Sequence, residues 1–235
     1  MMTKSTGQMM PKGMGQMMPK GMALRATVSV LFLLVACSSG GQATTTAPPG
    51  EAQSPEAVAT VVLDALTAGD AQIAAAHTIA EQMVWLAMAE GASLQEAADL
   101  LDEGAESVAI NYWTGFTQLG EVPPVAISSI VETTIGDHTF AVVSLGGTDH
   151  LRLVLRSEPE WKIDVVASFG STLAARLADA VEVVAANSGD GADRLREVLG
   201  NQLDSVDMAS ADTGLNETAR QALADLAESL KNMSS

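Results

Sequence analysis

The chain of 235 residues contains a single cysteine, Cys37. One cysteine excludes an intramolecular disulfide framework and any metal site built from several cysteines. Aromatic residues make up only 3% of the sequence, although 47% of the residues are hydrophobic. A core of this composition must therefore consist mainly of Ala, Val, Leu and Ile side chains. The length allows one domain with extensions or two small domains.

Basic residues are also scarce, with 12 Lys and Arg against 29 Asp and Glu and a net charge of −17. Such a chain is repelled by nucleic acid and by anionic lipid head groups, so we expect no nucleic-acid partner. Solubility is the simplest role for this charge, and an acidic surface that attracts a ligand is the alternative. The sequence lacks a phosphate-binding loop, a nucleophile motif and a metal-ligand cluster, so we expect no cofactor.

A short apolar run occupies residues 26–36. Its 11 residues are too few to span a bilayer, which needs about 20, but they match the apolar region of a signal peptide. The octapeptide GQMMPKGM occurs twice in tandem over residues 7–22, just before this run. Either this repeat is a long basic leader or translation starts at Met22. In both cases residues 1–36 are predicted to be a signal peptide.

The run ends in Leu34-Val35-Ala36-Cys37, which resembles the lipobox of bacterial lipoproteins. The resemblance implies cleavage between Ala36 and Cys37 and acylation of the cysteine thiol. It also implies a location on the extracytoplasmic face of the cell membrane, held there by the lipid. Each buried methylene contributes about 0.8 kcal/mol, so two or three acyl chains anchor a protein stably. A chance cysteine at the end of an ordinary signal peptide is the alternative.

The segment 37–53 is rich in Gly, Ser, Thr, Ala and Pro. It has little apolar surface to bury and is predicted to be a disordered tether. A flexible coil of this length reaches roughly 20–25 Å.

Helical signals follow the tether. Ser54 is a predicted N-cap followed by Pro at the first helical position, and Gly69 ends this helix. A second helix is predicted over residues 71–90, and Ser93 begins a capping box for a third. Gly104 is expected to break or bend that third helix.

Residues 125–167 predict four short strands, with turns at Gly136-Asp137, 146–149 and 158–160. A pairing of Leu145 with His150 would place Phe140 opposite Leu155. The apolar faces of neighbouring strands then coincide, as a half-buried antiparallel sheet requires.

Helices followed by a four-stranded meander that ends in Trp161-Lys162-Ile163-Asp164 resemble the nuclear transport factor two-like superfamily. In particular, they resemble its small bacterial lipoproteins of unknown function. The resemblance covers about Ser54 to Ala167. It implies an α+β domain over residues 54–168, in which N-terminal helices pack on a curved four-stranded antiparallel sheet to form a cone with an apolar pocket. The superfamily includes enzymes, binding modules and dimerisation modules, so the fold alone leaves the function open.

Residues 169–235 depart from that pattern and predict a C-terminal helical extension. Helices are expected over Gly170–Asn187 and about Ala192–Val206, and from Asn216 onward. Three arrangements of these helices are open: they cover the sheet, fill the cone or form a small helical subdomain. Arg152, Arg156 and Lys162 lie on the predicted outer face of the sheet and are expected to pair with acids of these helices or with Asp164.

His138 and His150 each follow an aspartate, a pattern that suggests a shared site. They begin two consecutive antiparallel strands, which places them at opposite ends of the sheet, roughly 20 Å apart. Both are therefore expected to be surface residues beside turns.

His77 lies on the apolar stripe of the second predicted helix. It is a candidate general base if Asp64 or Asp70 orients its imidazole, and a partly buried structural histidine otherwise. Four aromatic residues accompany it either as walls of a pocket for an apolar ligand or as core: Trp85, Tyr112, Trp113 and Trp161.

Two functions remain as hypotheses from the sequence. The first is a non-enzymatic, lipid-anchored binding or interaction module for a small apolar ligand or an envelope protein. The alternative is a pocket enzyme of the isomerase or hydrolase type, centred on His77.

Overall fold

A computed structural model of the chain describes residues 53–118, 126–146 and 152–234. The described residues all belong to one unit by their internal contacts. The predicted signal peptide, the candidate lipidation site Cys37 and most of the predicted tether lie outside the described residues. So do His150 and most of the predicted turn before it.

The described residues form a mixed fold of helices and one four-stranded antiparallel sheet. The strands are β1 (Ile127–Ile135), β2 (His138–Leu145), β3 (Arg152–Glu158) and β4 (Glu160–Ile163), in the order β1-β2-β3-β4. The helices before the sheet are α1 (Pro55–Ala68), α2 (Ala71–Ala76), α3 (Ala80–Ala89), α4 (Leu94–Glu103) and α5 (Glu106–Gln118). Those after it are α6 (Val165–Ala185), α7 (Asp190–Gly200), α8 (Leu203–Ser210) and α9 (Glu217–Met233).

Local capping signals predict the helix starts well. The Ser54 hydroxyl accepts a hydrogen bond from the Ala57 amide at 3.2 Å, as an N-cap does. Gly69 ends α1 with a φ of 75°, a left-handed conformation that favours glycine. The capping box at Ser93 is present, and Gly104 separates α4 from α5. These predictions are confirmed.

The single helix predicted over residues 71–90 is wrong, because the chain leaves the helical conformation between α2 and α3. Thr78 there forms a parallel bridge with Ile163 of β4. The Ile163 amide donates to the His77 carbonyl at 2.6 Å, and the Ile79 amide donates to the Ile163 carbonyl at 3.2 Å. Pairing with a distant strand thus replaces helical hydrogen bonds, which a helical period in the sequence cannot reveal.

The predicted register between β2 and β3 is wrong by one residue. Phe140 pairs with Arg156, and Ala141 pairs with Leu155. Because side chains alternate between the faces of a strand, this shift moves Phe140 to the face opposite Leu155. The hairpin turn at Gly136-Asp137 is confirmed, with Ile135 paired to His138.

Both faces of the sheet are covered. Leu153, Leu155 and Ile163 belong to the main hydrophobic core, and α1 contacts all four strands. On the other face, Phe140 and Val154 pack with side chains of α6 and α8 in a second, smaller cluster. The C-terminal helices therefore complete the layer that the sheet needs on its second face.

The helix α6 begins earlier than predicted. Asp164 follows β4 directly, and its carboxylate accepts a hydrogen bond from the Ala167 amide at 2.7 Å as the N-cap. The expected boundary between residues 168 and 169 therefore falls inside α6. The helix predicted over Ala192–Val206 is two helices, α7 and α8, whereas the helix predicted from Asn216 onward is α9, with Asn216 as its N-cap.

Within the described part of the chain, no helix is both long enough and apolar enough to cross a membrane.

Candidate ligand site

A cavity of about 480 Å³ lies between α3, α5 and α6. Its walls are mainly aliphatic, and its lining consists of Leu86, Ala87, Glu90, Val108, Asn111, Tyr112, Gly115, Leu173 and Arg176. Leu86 and Leu173 are buried, whereas Glu90 and Arg176 are exposed. The lining therefore runs from an apolar interior to a charged mouth.

The mouth carries an ion pair between Glu90, which follows the last turn of α3, and Arg176 of α6. Their side chains are 66% and 52% exposed, so solvent screens the pair. The two charges cancel, which leaves the mouth of the cavity without a net charge of its own.

Tyr112 supplies a polar group in the wall of the cavity, and Asn111 adds an exposed side-chain amide. Burial raises the pKa of the Tyr112 hydroxyl above its usual value of 10.0, so the hydroxyl remains protonated at neutral pH. Its ring packs edge-on against Trp113 with the ring centroids 5.1 Å apart. Among the described residues, no protein group forms a hydrogen bond with the Tyr112 hydroxyl.

Two features of α5 create the space. Trp113 is fully buried and donates from Nε1 to the Thr78 hydroxyl at 2.8 Å, which fixes α5 against the segment between α2 and α3. Gly115 lies on the cavity side, and a methyl group there would meet nothing within 4 Å. Because α5 is held in place and Gly115 has no side chain, a space remains between α5 and α3.

Of the five residues expected to line a pocket, Tyr112 is part of the described cavity. Trp85 and Trp113 lie fully buried in the core, where Trp85 Nε1 donates to the Leu177 carbonyl at 3.1 Å. Trp161 is partly buried on β4 and packs against the same core. The aliphatic lining residues carried no signal of their own, because they look like any core position of an amphipathic helix.

His77 is partly buried at the end of α2. Burial lowers the pKa of its imidazole, an effect that Glu160 opposes and Lys162 reinforces. Among the described residues, no carboxylate lies within hydrogen-bonding distance of its ring. Asp70 instead caps α2 by accepting from the amides of Gln72 and Ile73. The orienting carboxylate that a general base would need is therefore not supplied by Asp70.

A group of buried polar side chains lies on the face of the sheet that α6 and α8 cover. Arg156 of β3 is 1% exposed, and Asp164 is 0% exposed. The Ser205 hydroxyl joins them, because it accepts from Arg156 Nη1 at 2.9 Å and donates to Asp164 Oδ2 at 2.6 Å. Gln82 of α3 donates to Asp164 Oδ1 at 2.8 Å, and its carbonyl oxygen accepts from the Val165 amide at 2.7 Å. We call these residues the buried polar cluster.

The cluster reaches the surface through Glu158, which pairs with Arg156. His138 lies 3.7 Å from Glu158 and 2.8 Å from Asp204 of α8. Its side chain is only 26% exposed, so the expectation of a simple surface histidine is wrong for His138. The missing information was the position of α8, which the β1–β2 sequence does not contain.

The predicted pairing of the sheet arginines is confirmed at two positions. Arg152 Nε lies 3.3 Å from Asp212, which follows α8, and Arg156 Nε lies 3.7 Å from Asp164. Among the described residues, no group of three or more His, Cys, Asp and Glu side chains is arranged to hold a metal ion.

No family model, curated protein or solved structure matches this chain.

Proposed function

We propose that this chain is a lipid-anchored, extracytoplasmic binding module that takes a small apolar ligand in the cavity between α3, α5 and α6. The volume of that cavity, about 480 Å³, is the observation that carries the proposal. Sites for small molecules typically span about 300–1,000 Å³ and are mostly apolar with a few placed polar groups. The buried Leu86 and Leu173 and the single phenol of Tyr112 fit that description.

The cavity lies between helices that pack on other elements, so it exists before a ligand arrives. A ligand that enters such a site transfers its apolar surface out of water, which contributes about 25 cal/mol per Å². Little of this free energy is spent on ordering the protein, because the walls are already in place.

The proposed architecture is a cone in which the N-terminal helices pack on a curved four-stranded sheet, as in the nuclear transport factor two-like superfamily. The contacts of α1 with all four strands support this arrangement. The ligand cavity itself is lined by helices alone, so it differs from the pocket between sheet and helices that the resemblance implies.

The membrane anchor rests on the sequence Leu34-Val35-Ala36-Cys37. The acidic chain would not adhere to anionic lipid by its own charge, so a covalent lipid on Cys37 is the anchor we propose. Replacement of Cys37 by Ala should release the chain from the membrane fraction, and mass spectrometry should show loss of the acyl mass. Unchanged membrane retention of the variant would exclude the anchor.

Ligand binding can be tested by native mass spectrometry and solvent extraction of the purified full chain. We expect an apolar small molecule to accompany the wild-type chain and to be lost from Val108→Trp, in which an indole fills the cavity. Val183→Trp is the matched control, because Val183 lies on α6 and is 47% exposed. Equal ligand content in the two variants would contradict the proposed site.

A further inference from the structure

The Tyr112 hydroxyl and the paired charges at the mouth together restrict what the cavity can hold. We infer that the ligand is an uncharged molecule with an apolar body and one oxygen that accepts a hydrogen bond from the Tyr112 hydroxyl, such as a ketone, ester or amide. This inference rests on the proposed function, because it names the chemical class of ligand for the same site.

The first step concerns the phenol. Tyr112 lines the cavity, and its hydroxyl has no hydrogen-bond partner in the part of the chain that the structure describes. Tyr112 is partly buried, so water can reach its hydroxyl, and a ligand that displaces this water must replace its hydrogen bond. Because burial keeps this phenol protonated, its unused capacity includes a proton to donate. The ligand must therefore present an acceptor.

The second step concerns charge. Arg176 is the basic residue in the cavity lining, and it already pairs with Glu90. A ligand carboxylate would have to compete with Glu90 for Arg176 in a chain with a net charge of −17. A ligand ammonium would have to compete with Arg176 for Glu90. An uncharged acceptor avoids both competitions and leaves the ion pair intact.

The third step concerns the ligand body. Leu86 and Leu173 are buried in the lining, and Val108 stands beside them on α5. These side chains offer no hydrogen bonds, so the part of the ligand away from Tyr112 must be hydrocarbon. An apolar body with one acceptor oxygen satisfies the aliphatic walls and the Tyr112 hydroxyl, while the Asn111 amide in the lining is exposed and can bond to water.

Four probes that share a cyclohexyl ring test the inference: cyclohexanone, cyclohexane, cyclohexanecarboxylate and cyclohexylamine. Binding would be measured by ligand-observed NMR titration of the full chain in phospholipid nanodiscs, with empty nanodiscs as the baseline. We expect the wild-type chain to bind cyclohexanone more tightly than either charged probe. Tyr112→Phe should weaken cyclohexanone binding about fivefold, the loss of one hydrogen bond, and leave cyclohexane binding unchanged.

The outcomes separate the two proposals. If no probe binds the wild-type chain, or if Val108→Trp binds them equally well, the proposed function fails. If the probes bind and are excluded by Val108→Trp, but Tyr112→Phe binds cyclohexanone as the wild type does, only the assignment of the acceptor fails. Tighter binding of the carboxylate or the amine than of the ketone would likewise overturn the uncharged class. Thermal unfolding of Tyr112→Phe in the same nanodiscs verifies that the variant is folded.

Discussion

The two faces of the sheet are buried by different chemistry. On one face, Leu153, Leu155 and Ile163 pack into an aliphatic core beneath α1. On the other, the smaller apolar cluster of Phe140 and Val154 shares the face with Arg156, which is buried with Asp164 and hydrogen-bonded side chains of α3 and α8. Hydrophobic packing has no preferred direction, whereas each buried hydrogen-bonding atom needs a partner in a particular place. The polar face therefore fixes where the C-terminal helices sit, and the apolar face supplies the burial.

The cost of this arrangement is visible in the buried polar cluster. Arg156 Nε is buried and has no hydrogen-bond partner among the described residues, because Asp164 Oδ2 lies 3.7 Å away. Buried ion pairs of this kind often add little net stability relative to a hydrophobic replacement, but breaking one is strongly destabilising. The two faces should thus respond differently to the loss of a single side chain.

The largest effect is expected from Asp164→Ala on the polar face. The change removes the N-cap of α6, the acceptor for Ser205 and Gln82, and the fully buried counter-charge of Arg156. We expect the free energy of unfolding to fall by about 3–5 kcal/mol, because Arg156 remains buried and keeps only the partly exposed Glu158 as a counter-charge. Denaturant unfolding followed by circular dichroism measures this loss.

An exposed ion pair provides the control for Asp164→Ala. Asp102 pairs with Arg194 by two hydrogen bonds, and the side chains are 64% and 46% exposed. We expect Asp102→Ala to change the unfolding midpoint very little, because solvent screens this pair. Equal losses in the two variants would mean that burial does not distinguish them, which contradicts the expected role of the polar face.

A smaller loss is expected from Leu155→Ala on the apolar face. Leu155 is 0% exposed, and its truncation leaves a void that the surrounding side chains fill only in part. We expect the free energy of unfolding to fall by about 3 kcal/mol. Leu155→Met, which nearly conserves the volume, should cost less than about 1.5 kcal/mol in the same denaturant experiment. A larger loss for Leu155→Met than for Leu155→Ala would show that shape, and not the void, controls this face.

The contact between the β1–β2 turn and α8 should be weaker again. Gly136 has a φ of 55°, and a methyl group there would collide with the carboxylate of Asp204. That carboxylate accepts from the Asp137 amide at 3.1 Å and contacts His138. We expect Gly136→Ala to reduce the free energy of unfolding by about 1–2 kcal/mol, through backbone strain and displacement of Asp204.

Gly69 is the matched control for Gly136. It also has a positive φ, 75°, but a methyl group there would meet nothing within 4 Å. Gly69→Ala therefore carries the backbone strain alone, and the difference between the two variants reports the Asp204 contact. A Gly69→Ala loss as large as that of Gly136→Ala would remove Asp204 from the explanation.

Short-range signals in the sequence predict much of this fold. Ser54 and Ser93 cap the helices that they were expected to cap, because a cap depends on only a few neighbouring residues. The turn at Gly136-Asp137 is equally local. The antiparallel sheet followed by helices was predicted from the same kind of signal.

The main failures are long-range, although the early start of α6 at its local cap Asp164 was missed as well. The break between α2 and α3 depends on Ile163, and the true strand register depends on helices that cover the second face. The expected sheet had one solvent-facing side, which favoured a register that gathers all large apolar residues on one face. The cavity depends on the mutual packing of three helices, and Tyr112 was predicted for a pocket only because it is aromatic.

The segment that pairs with Ile163 at the β4 edge of the sheet begins at His77. The protonation of His77 therefore provides a test of how this edge depends on pH. Burial lowers the pKa of His77, so the folded chain resists a proton that the unfolded chain accepts near the usual pKa of 6.5. Above that pH both states are neutral and His77 contributes nothing to the pH dependence. As the pH falls below it, the contribution of His77 destabilises the folded state, until the folded state is protonated as well.

We therefore expect the stability of the wild-type chain to decrease relative to that of His77→Gln as the pH falls from about 7 through the unfolded pKa of 6.5. Denaturant unfolding of both proteins across this range measures the difference, in which the contributions of the other ionisable groups cancel. The effect is expected to be the smallest of those considered, because His77 is only partly buried and solvent can reach its ring. If the free energy of unfolding changes with pH in the same way for the two proteins, the bridge to β4 does not depend on the protonation of His77. Burial on the two faces of the sheet would then be the main control of stability.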